Sequence, residues 1–158
     1  MTAPALPTPD FSRFPRHAEL TALLQAYAAA RPDVVELRSI GKSHEGRDIW
    51  LVVLTRRATG ADGAKPAFWI DGNIHAAELT ACTAALYYLH HVLANDAADA
   101  RLAHLLDTRV VYLVPRLNPD GAELALADVP RFIRSSTRSY PFDEDAPDGL
   151  TREDVDGD

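Results

Sequence analysis

Phe68-Trp-Ile-Asp-Gly-Asn-Ile-His-Ala-Ala-Glu-Leu79 is an apolar run that stops at a glycine and continues as a helical pattern. In open α/β sheets, ligands bind at the carboxyl ends of strands, where the chain turns into a helix. His75 and Glu78 stand at this junction, and residues three apart on a helical turn lie on one face. Because imidazole nitrogen and carboxylate oxygen are both zinc ligands, the pair predicts half of a zinc site.

The spacing alone leaves a second interpretation open. The numbers of histidines and glutamates in this chain produce roughly 0.3 accidental His-x-x-Glu matches. In that interpretation, His75 is a hydrogen-bonded loop histidine and Glu78 is a first-turn residue stabilised by the helix dipole. The HExxH and HxxEH zinc signatures are excluded, because Ala76 and Leu79 break them.

Composition limits the class of protein and its partners. A chain of 158 residues with 47% hydrophobic and 25% charged residues suits one soluble globular domain. The formal charge of −7 argues against nucleic acid as a partner, because a phosphate-binding surface needs a basic stripe. Cys82 is the only cysteine, which excludes an internal disulfide and a cysteine-based zinc site. Its apolar helical context favours a buried small hydrophobic residue.

The two ends of the chain differ from its middle. Residues 1–16 are proline-rich and carry no apolar core of signal-peptide length, so we expect an extended leader. No run reaches the roughly 18 apolar residues of a membrane span. These features favour a cytoplasmic protein without a membrane partner. Residues 17–142 carry the domain pattern, and residues 143–158 are acidic and are expected to form a loop.

Hydrophobic periodicity predicts the order of helices and strands. The helices are expected at His17–Arg31, Glu78–Ala94 and Asp96–Asp107, and the strands at Val34–Ser39, Asp48–Thr55, Ala67–Asp71 and Arg109–Val114. This order describes a mixed α/β sheet with helices on its faces. The helix-borne histidines are expected to be exposed or hydrogen-bonded rather than metal ligands: His90, His91 and His104.

A second strand ends in a glycine-terminated turn, Asn118-Pro-Asp-Gly121. Two such strand exits on one sheet can form one crevice. A short helix through Leu126 and a polar loop, Arg131–Arg138, follow. Gly41-Lys-Ser is not a phosphate loop, because Glu36 stands where that motif needs a glycine.

The acidic tail offers a weaker metal-binding pattern. Asp154-Val-Asp-Gly-Asp158 resembles the first half of a calcium loop, with carboxylates at alternate positions. A solvated acidic loop is the alternative interpretation.

Four motifs, taken together and in order, resemble the funnel-type zinc carboxypeptidases, the family of the pancreatic digestive enzymes. They are Gly41-x-Ser-x-Glu-Gly-Arg47, Asp71-Gly-Asn-Ile-His-x-x-Glu78, Asn118-Pro-Asp-Gly121 and the arginine loop Arg131–Arg138. The resemblance implies a three-layer α/β/α fold with a mixed, mainly parallel sheet, of which this chain is the N-terminal, C-terminally truncated part.

The resemblance also implies roles for particular residues. His75 and Glu78 are expected to be two of the three protein ligands of one zinc ion. Arg134 is expected to be the catalytic arginine that polarises the scissile carbonyl and stabilises its oxyanion. Arg131 and Arg138 are the alternatives, because the loop is offset by one residue from the family pattern.

The remaining family residues are expected further along the chain. They are a third zinc-binding histidine, an Asn-Arg pair for the substrate's terminal carboxylate, a tyrosine and a glutamate general base, whereas the last histidine here is His104. We therefore expect the N-terminal part of a zinc metallocarboxypeptidase that acts on the C-termini of peptides or proteins. The 158-residue chain alone is expected to be inactive and to self-associate. The alternatives are a non-catalytic binding or scaffold domain, and zinc-dependent hydrolysis of a non-peptide amide or ester.

Overall fold

The computed structural model describes residues 4–135 and residue 137, which form four strands and four α-helices. The strands are β1 (Val35–Lys42), β2 (Asp48–Leu54), β3 (Ala67–Asp71) and β4 (Val110–Val114), and the helices are α1 (His17–Ala30), α2 (Leu79–Asn95), α3 (Ala100–Thr108) and α4 (Pro119–Ala125). Their order is the predicted one. Within the described part of the chain, no helix has both the length and the apolar character needed to cross a membrane.

The four strands form one mixed sheet in the order β1-β2-β4-β3. β1 and β2 are an antiparallel hairpin, β2 and β4 are also antiparallel, and β3 and β4 are parallel. The prediction of a mixed sheet is therefore right. The prediction of a mainly parallel sheet does not hold for the described strands, because the short turn between β1 and β2 allows only an antiparallel pair. Only β3 and β4, which are joined through α2 and α3, have the crossover that parallel pairing needs.

Alternation along β4 divides the sheet into two faces. Val111 and Leu113 belong to the large core, together with residues of α1, α2 and α3. Val110 and Val114 point to the opposite face and join a smaller cluster with Leu51 and Val53 of β2. Among the described residues, this second cluster contains no helical residue. Helices α1, α2 and α3 thus pack on one face of the sheet, as one of the two expected helical layers.

The expected leader is irregular where the structure describes it, from residue 4 to residue 16. It nevertheless packs on the domain. Leu6 contacts the large core, and the Phe11 ring meets the Tyr87 ring edge-on with centroids 5.6 Å apart. The carbonyl of Pro15 accepts a hydrogen bond from Arg116 at 3.0 Å. These contacts attach residues 4–16 to α2 and to the segment after β4.

Candidate active site

The exits of β3 and β4 run side by side beyond the sheet. The Gly72 amide donates to the Val114 carbonyl at 3.0 Å, and the Leu117 amide donates to the Gly72 carbonyl at 2.9 Å. A Cβ on Gly72 would lie 3.0 Å from the Ala81 carbonyl oxygen and 3.1 Å from that of Pro115. Glycine therefore lets the β3 exit approach both α2 and the β4 exit closely. The structure brings the two predicted strand exits together at one edge.

His75 and Glu78 lie on the turn that follows β3. The Nδ1 atom of His75 is 2.9 Å from both carboxylate oxygens of Glu78. The turn is closed by a hydrogen bond from the Glu78 amide to the His75 carbonyl at 3.2 Å. Glu78 is the N-cap of α2, so the helix begins one residue later than predicted. The two side chains thus converge across a tight turn rather than along a helix.

The chemistry of this donor pair fits zinc. An imidazole nitrogen and a carboxylate binding at about 2.0–2.2 Å are ordinary zinc ligands, and both oxygens of Glu78 face the nitrogen. Without a cation the same contact is a His–Glu hydrogen bond, the alternative that the sequence leaves open. Within residues 4–135 and 137, no group of three or more His, Cys, Asp or Glu side chains could hold a metal ion. The turn therefore offers two candidate ligands.

Asn73 shapes the turn of residues 73–78, the ligand turn, which carries His75 and Glu78, and its role was not predicted from the sequence. It is buried and has a φ of 55°, the left-handed region in which asparagine is enriched. Its Nδ2 donates to the carbonyls of His75 at 2.8 Å and Ala76 at 3.2 Å. The Gly-Asn dipeptide after β3 was the available signal, because asparagine in a turn often bonds to the backbone ahead of it.

Asn118 ties three segments of the site together. Its Oδ1 accepts from the Gly121 amide at 2.9 Å and caps α4. Its Nδ2 donates to the Ile74 carbonyl at 3.2 Å and to the Ser135 carbonyl. The first residue of the Asn-Pro-Asp-Gly motif thus links α4, the ligand turn and the arginine loop.

The main chain of Arg134 lies beside the ligand turn. Its carbonyl accepts a hydrogen bond from the Ala76 amide at 2.9 Å, and the residue is exposed. Arg131 is also exposed, and its amide donates to the Leu124 carbonyl at 3.2 Å. Arg138 lies outside the described residues. Of the two described arginines, the one expected to be catalytic has a backbone hydrogen bond to the residue after His75.

Asp120 connects two of the motifs through a buried carboxylate. It accepts from the Ser43 hydroxyl at 2.7 Å, from the Glu45 amide at 3.0 Å and from Arg47 Nη1 at 2.7 Å. Burial alone would raise the pKa of Asp120, but the bonds from Ser43, Arg47 and the Glu45 amide outweigh it and lower the pKa. The ionised carboxylate therefore anchors the β1–β2 hairpin to α4. Sequence reasoning missed this network because it joins segments far apart in the chain.

The helix histidines and the single cysteine lie in the environments predicted for them. His90 Nδ1 lies 3.0 Å from the Tyr27 hydroxyl, which confirms a hydrogen-bonded helix histidine, and His104 is exposed. Cys82 is fully buried and free, and burial raises the pKa of its thiol, as predicted for a small core residue. The calcium-like pattern at Asp154–Asp158 lies outside the described residues.

Comparisons with known proteins agree with this architecture. The sequence profile of the zinc carboxypeptidase family matches residues 20–150. Mouse carboxypeptidase D is 40% identical over 132 residues, which cover 73% of this chain and 10% of that protein. Mouse carboxypeptidase Z is 34% identical over 131 residues, which cover 78% of this chain and 20% of that protein.

A solved structure, carboxypeptidase A from Helicoverpa armigera, matches with a TM-score of 0.70 and 26% identity, covering 83% of this chain and 31% of that one. Of the two mouse relatives, the chain spans only a tenth of carboxypeptidase D and a fifth of carboxypeptidase Z. The structural match confirms the predicted carboxypeptidase-like α/β fold class.

Proposed function

The chain belongs to the zinc carboxypeptidase family, and on that premise we propose that the protein hydrolyses C-terminal peptide bonds with zinc held by His75 and Glu78. The observation that carries the proposal is the approach of His75 Nδ1 to both Glu78 oxygens at 2.9 Å. The pair lies at a strand exit, where α/β sheets bind their ligands. The substrates would be peptides or proteins with a free C-terminus.

Each residue of the site has a proposed task. Bound zinc supplies a Lewis acid for a carbonyl and lowers the pKa of a water. His75 and Glu78 hold the ion, and Asn73 holds the turn that presents them. The main chain of Arg134 lies beside this turn, and its permanently charged, planar guanidinium is suited to stabilise negative charge that develops on a carbonyl oxygen in the transition state.

Catalytic zinc ordinarily has three protein ligands and one open position. The turn provides two, and the described residues hold no group of three. We therefore propose that the third ligand lies outside residues 4–135 and 137. The resemblance implies a histidine for this position and a glutamate as general base.

Zinc titration of His75→Ala and Glu78→Ala in the whole protein tests the assignment of these two residues as ligands. We expect each substitution to remove most of the zinc affinity, because each deletes one of the ligands. His104→Ala is the matched control, because His104 is an exposed histidine on α3 and should leave the affinity unchanged. The titration is measured by isothermal calorimetry, with unfolding midpoints recorded for every variant.

Two results would count against the proposal. Unchanged stoichiometry and affinity in both variants would remove His75 and Glu78 as ligands. Zinc binding by the whole protein without release of C-terminal residues from peptides would favour the binding-domain interpretation instead.

A further inference from the structure

Arg116 is a buried cation without a carboxylate partner among the residues that the structure describes. Its exposure is 2%. Its Nε donates to Asn73 Oδ1 at 3.1 Å and its Nη2 donates to the Pro15 carbonyl at 3.0 Å. Its Nη1 has no hydrogen-bond partner in the described part of the chain. Burying a charge in this way is costly unless it is paired, so the guanidinium needs a reason to be there.

The side chains around Arg116 do not neutralise it. Burial lowers the pKa of His17, and the charge of Arg116 lowers it further. Burial raises the pKa of the Cys82 thiol against the opposing effect of Arg116. Both neighbours are therefore uncharged at neutral pH. Among the described residues, Arg116 donates to the amide oxygen of Asn73 and the carbonyl of Pro15, and it also interacts with the neutral Cys82 thiol.

The contact with Asn73 fixes which way that amide points. A guanidinium only donates hydrogen bonds, so the oxygen of the Asn73 amide must face Arg116. The NH₂ group must then face the opposite side, where the carbonyls of His75 and Ala76 lie 2.8 and 3.2 Å away. The carbonyls of His75 and Ala76 only accept hydrogen bonds, so Arg116 and these carbonyls favour the same orientation of the amide from its two sides.

We propose that Arg116 is a positioning residue for the ligand turn, acting through Asn73. Arg116 orients the Asn73 amide, and that amide holds the two carbonyls that set the path of the chain through His75. Arginine suits this position because its fork reaches Asn73 and Pro15 at once, whereas lysine presents a single point charge. The turn's role in binding zinc rests on the proposed function, but its positioning by Arg116 does not.

Hydrogen exchange measured by NMR on the 158-residue chain tests the proposal without metal. The reporters are the amides of Ala76 and Asn118, which donate to Arg134 and Asn73. In Arg116→Met we expect protection at both reporters to fall by about tenfold or more beyond any loss in β2, because the turn opens locally.

Asn73→Gly is the second variant, and it keeps the test decisive if Arg116→Met does not fold. Glycine adopts a φ of 55° without strain but has no amide side chain. We expect the same local loss of protection at Ala76, although Arg116 is intact. The double variant should lose no more than either single variant, because both residues act in one chain of contacts.

Arg31→Met is the matched control. Arg31 binds the Leu93 carbonyl and Asp96, at the end of α2 opposite to the ligand turn. The Arg31→Met substitution should lower protection from exchange throughout the molecule, with no larger loss at the Ala76 and Asn118 amides than elsewhere. Uniform loss in Arg116→Met, or no loss at Ala76 in both Arg116→Met and Asn73→Gly, would overturn the proposal.

A zinc titration of the same variants separates this inference from the proposed function. We expect the zinc affinity of Arg116→Met to fall about tenfold or more, as is usual when the partners of metal ligands are removed. Loss of zinc binding in His75→Ala with no change in Arg116→Met would overturn the inference alone. Local loss of protection in Arg116→Met, together with unchanged zinc affinity in His75→Ala, would overturn the proposed function but would still support the positioning role of Arg116.

Discussion

Gly121 decides how closely α4 approaches the ligand turn. A Cβ at this position would lie 2.6 Å from the Cβ of Ala76 and 2.7 Å from Asn118 Nδ2. Ala76 is fully buried, and its methyl group is fixed to the backbone of the turn. A side chain on the first turn of α4 can therefore be accommodated only if the two segments move apart.

We predict that Gly121→Ala lowers the free energy of unfolding by about 1–3 kcal/mol, the usual cost of overpacking. The measurement is urea denaturation followed by circular dichroism. Gly63→Ala is the control, because an added Cβ there meets nothing within 4 Å. Equal effects in the two variants would contradict the close approach of α4 and the turn.

Arg134→Lys tests the proposed catalytic arginine. In the whole protein we expect kcat to fall about 10²-fold, within the range for loss of an oxyanion donor, with a smaller change in KM. The Arg134 carbonyl accepts a hydrogen bond from the Ala76 amide, so we expect the variant to keep the backbone position of residue 134. Steady-state kinetics on a peptide substrate decides the matter. A change confined to KM would assign Arg134 to ground-state binding.

At the scale of single residues, sequence reasoning reached His75 and Glu78 and the meeting of the two strand exits, but it missed the contacts between side chains on different segments. His75 and Glu78 are three residues apart, so their approach follows from one turn of chain. Asn73 and Arg116 are 43 residues apart, and their contact exists only because β3 and β4 leave the sheet side by side. No periodicity in the sequence reports such a contact.

At the scale of elements, the end of α2 is held by an ion pair rather than by packing alone. Asp96 is 7% exposed, and its carboxylate accepts hydrogen bonds from Arg31 Nη1 at 2.9 Å and Nη2 at 3.0 Å. Arg56 Nη2 lies 3.5 Å away. The hydrogen bonds from Arg31 are the main reason that the pKa of Asp96 is lowered. One carboxylate thereby joins α1, α2 and the segment after β2.

Asp96 should make the stability of the fold depend on pH. A carboxyl whose pKa is lower in the folded state contributes its full stability above the unfolded pKa of about 3.9, and loses it as pH falls through the folded pKa. We predict that Asp96→Asn costs about 1.5–3 kcal/mol at pH 7, and that the difference from wild type shrinks below pH 4. Urea denaturation at pH 7 and pH 3 measures both effects.

Asp128→Asn is the control for this pH dependence, because Asp128 is exposed and should change stability little at either pH. A difference between wild type and Asp96→Asn that stays constant from pH 7 to pH 3 would contradict the lowered pKa as its cause.

The bounds of the elements were predictable where local signals were strong. β3 covers Ala67–Asp71 as predicted. α3 was expected from Asp96 but begins at Ala100, because the Asp99 side chain accepts from the Arg101 amide at 2.8 Å and caps the helix. β1 continues beyond Ser39 to Lys42, across an irregularity in its pairing with β2. That extension depends on the partner strand, so periodicity within β1 could not report it.

At the scale of the whole molecule, the two edges of the described sheet differ. β1 carries charged side chains at Glu36, Arg38 and Lys42 and a break in register, features that discourage strands from pairing with another chain. β3 has an unbroken register with β4. Its Phe68 is 64% exposed and its Trp69 is 51% exposed. Because successive residues of a strand point to opposite faces, both faces of β3 present an aromatic ring.

We predict that the 158-residue chain self-associates through the β3 edge. An exposed hydrophobic edge strand offers unpaired backbone groups and apolar area to another copy, and Trp69→Lys should weaken the association by placing a charge there. Ile40→Lys is the matched control, because Ile40 is 47% exposed on β1 and should leave the association unchanged. Sedimentation velocity across a range of protein concentrations measures the effect. A wild-type chain that stays monomeric at every concentration, or equal weakening by both variants, would show that β3 is not the contact.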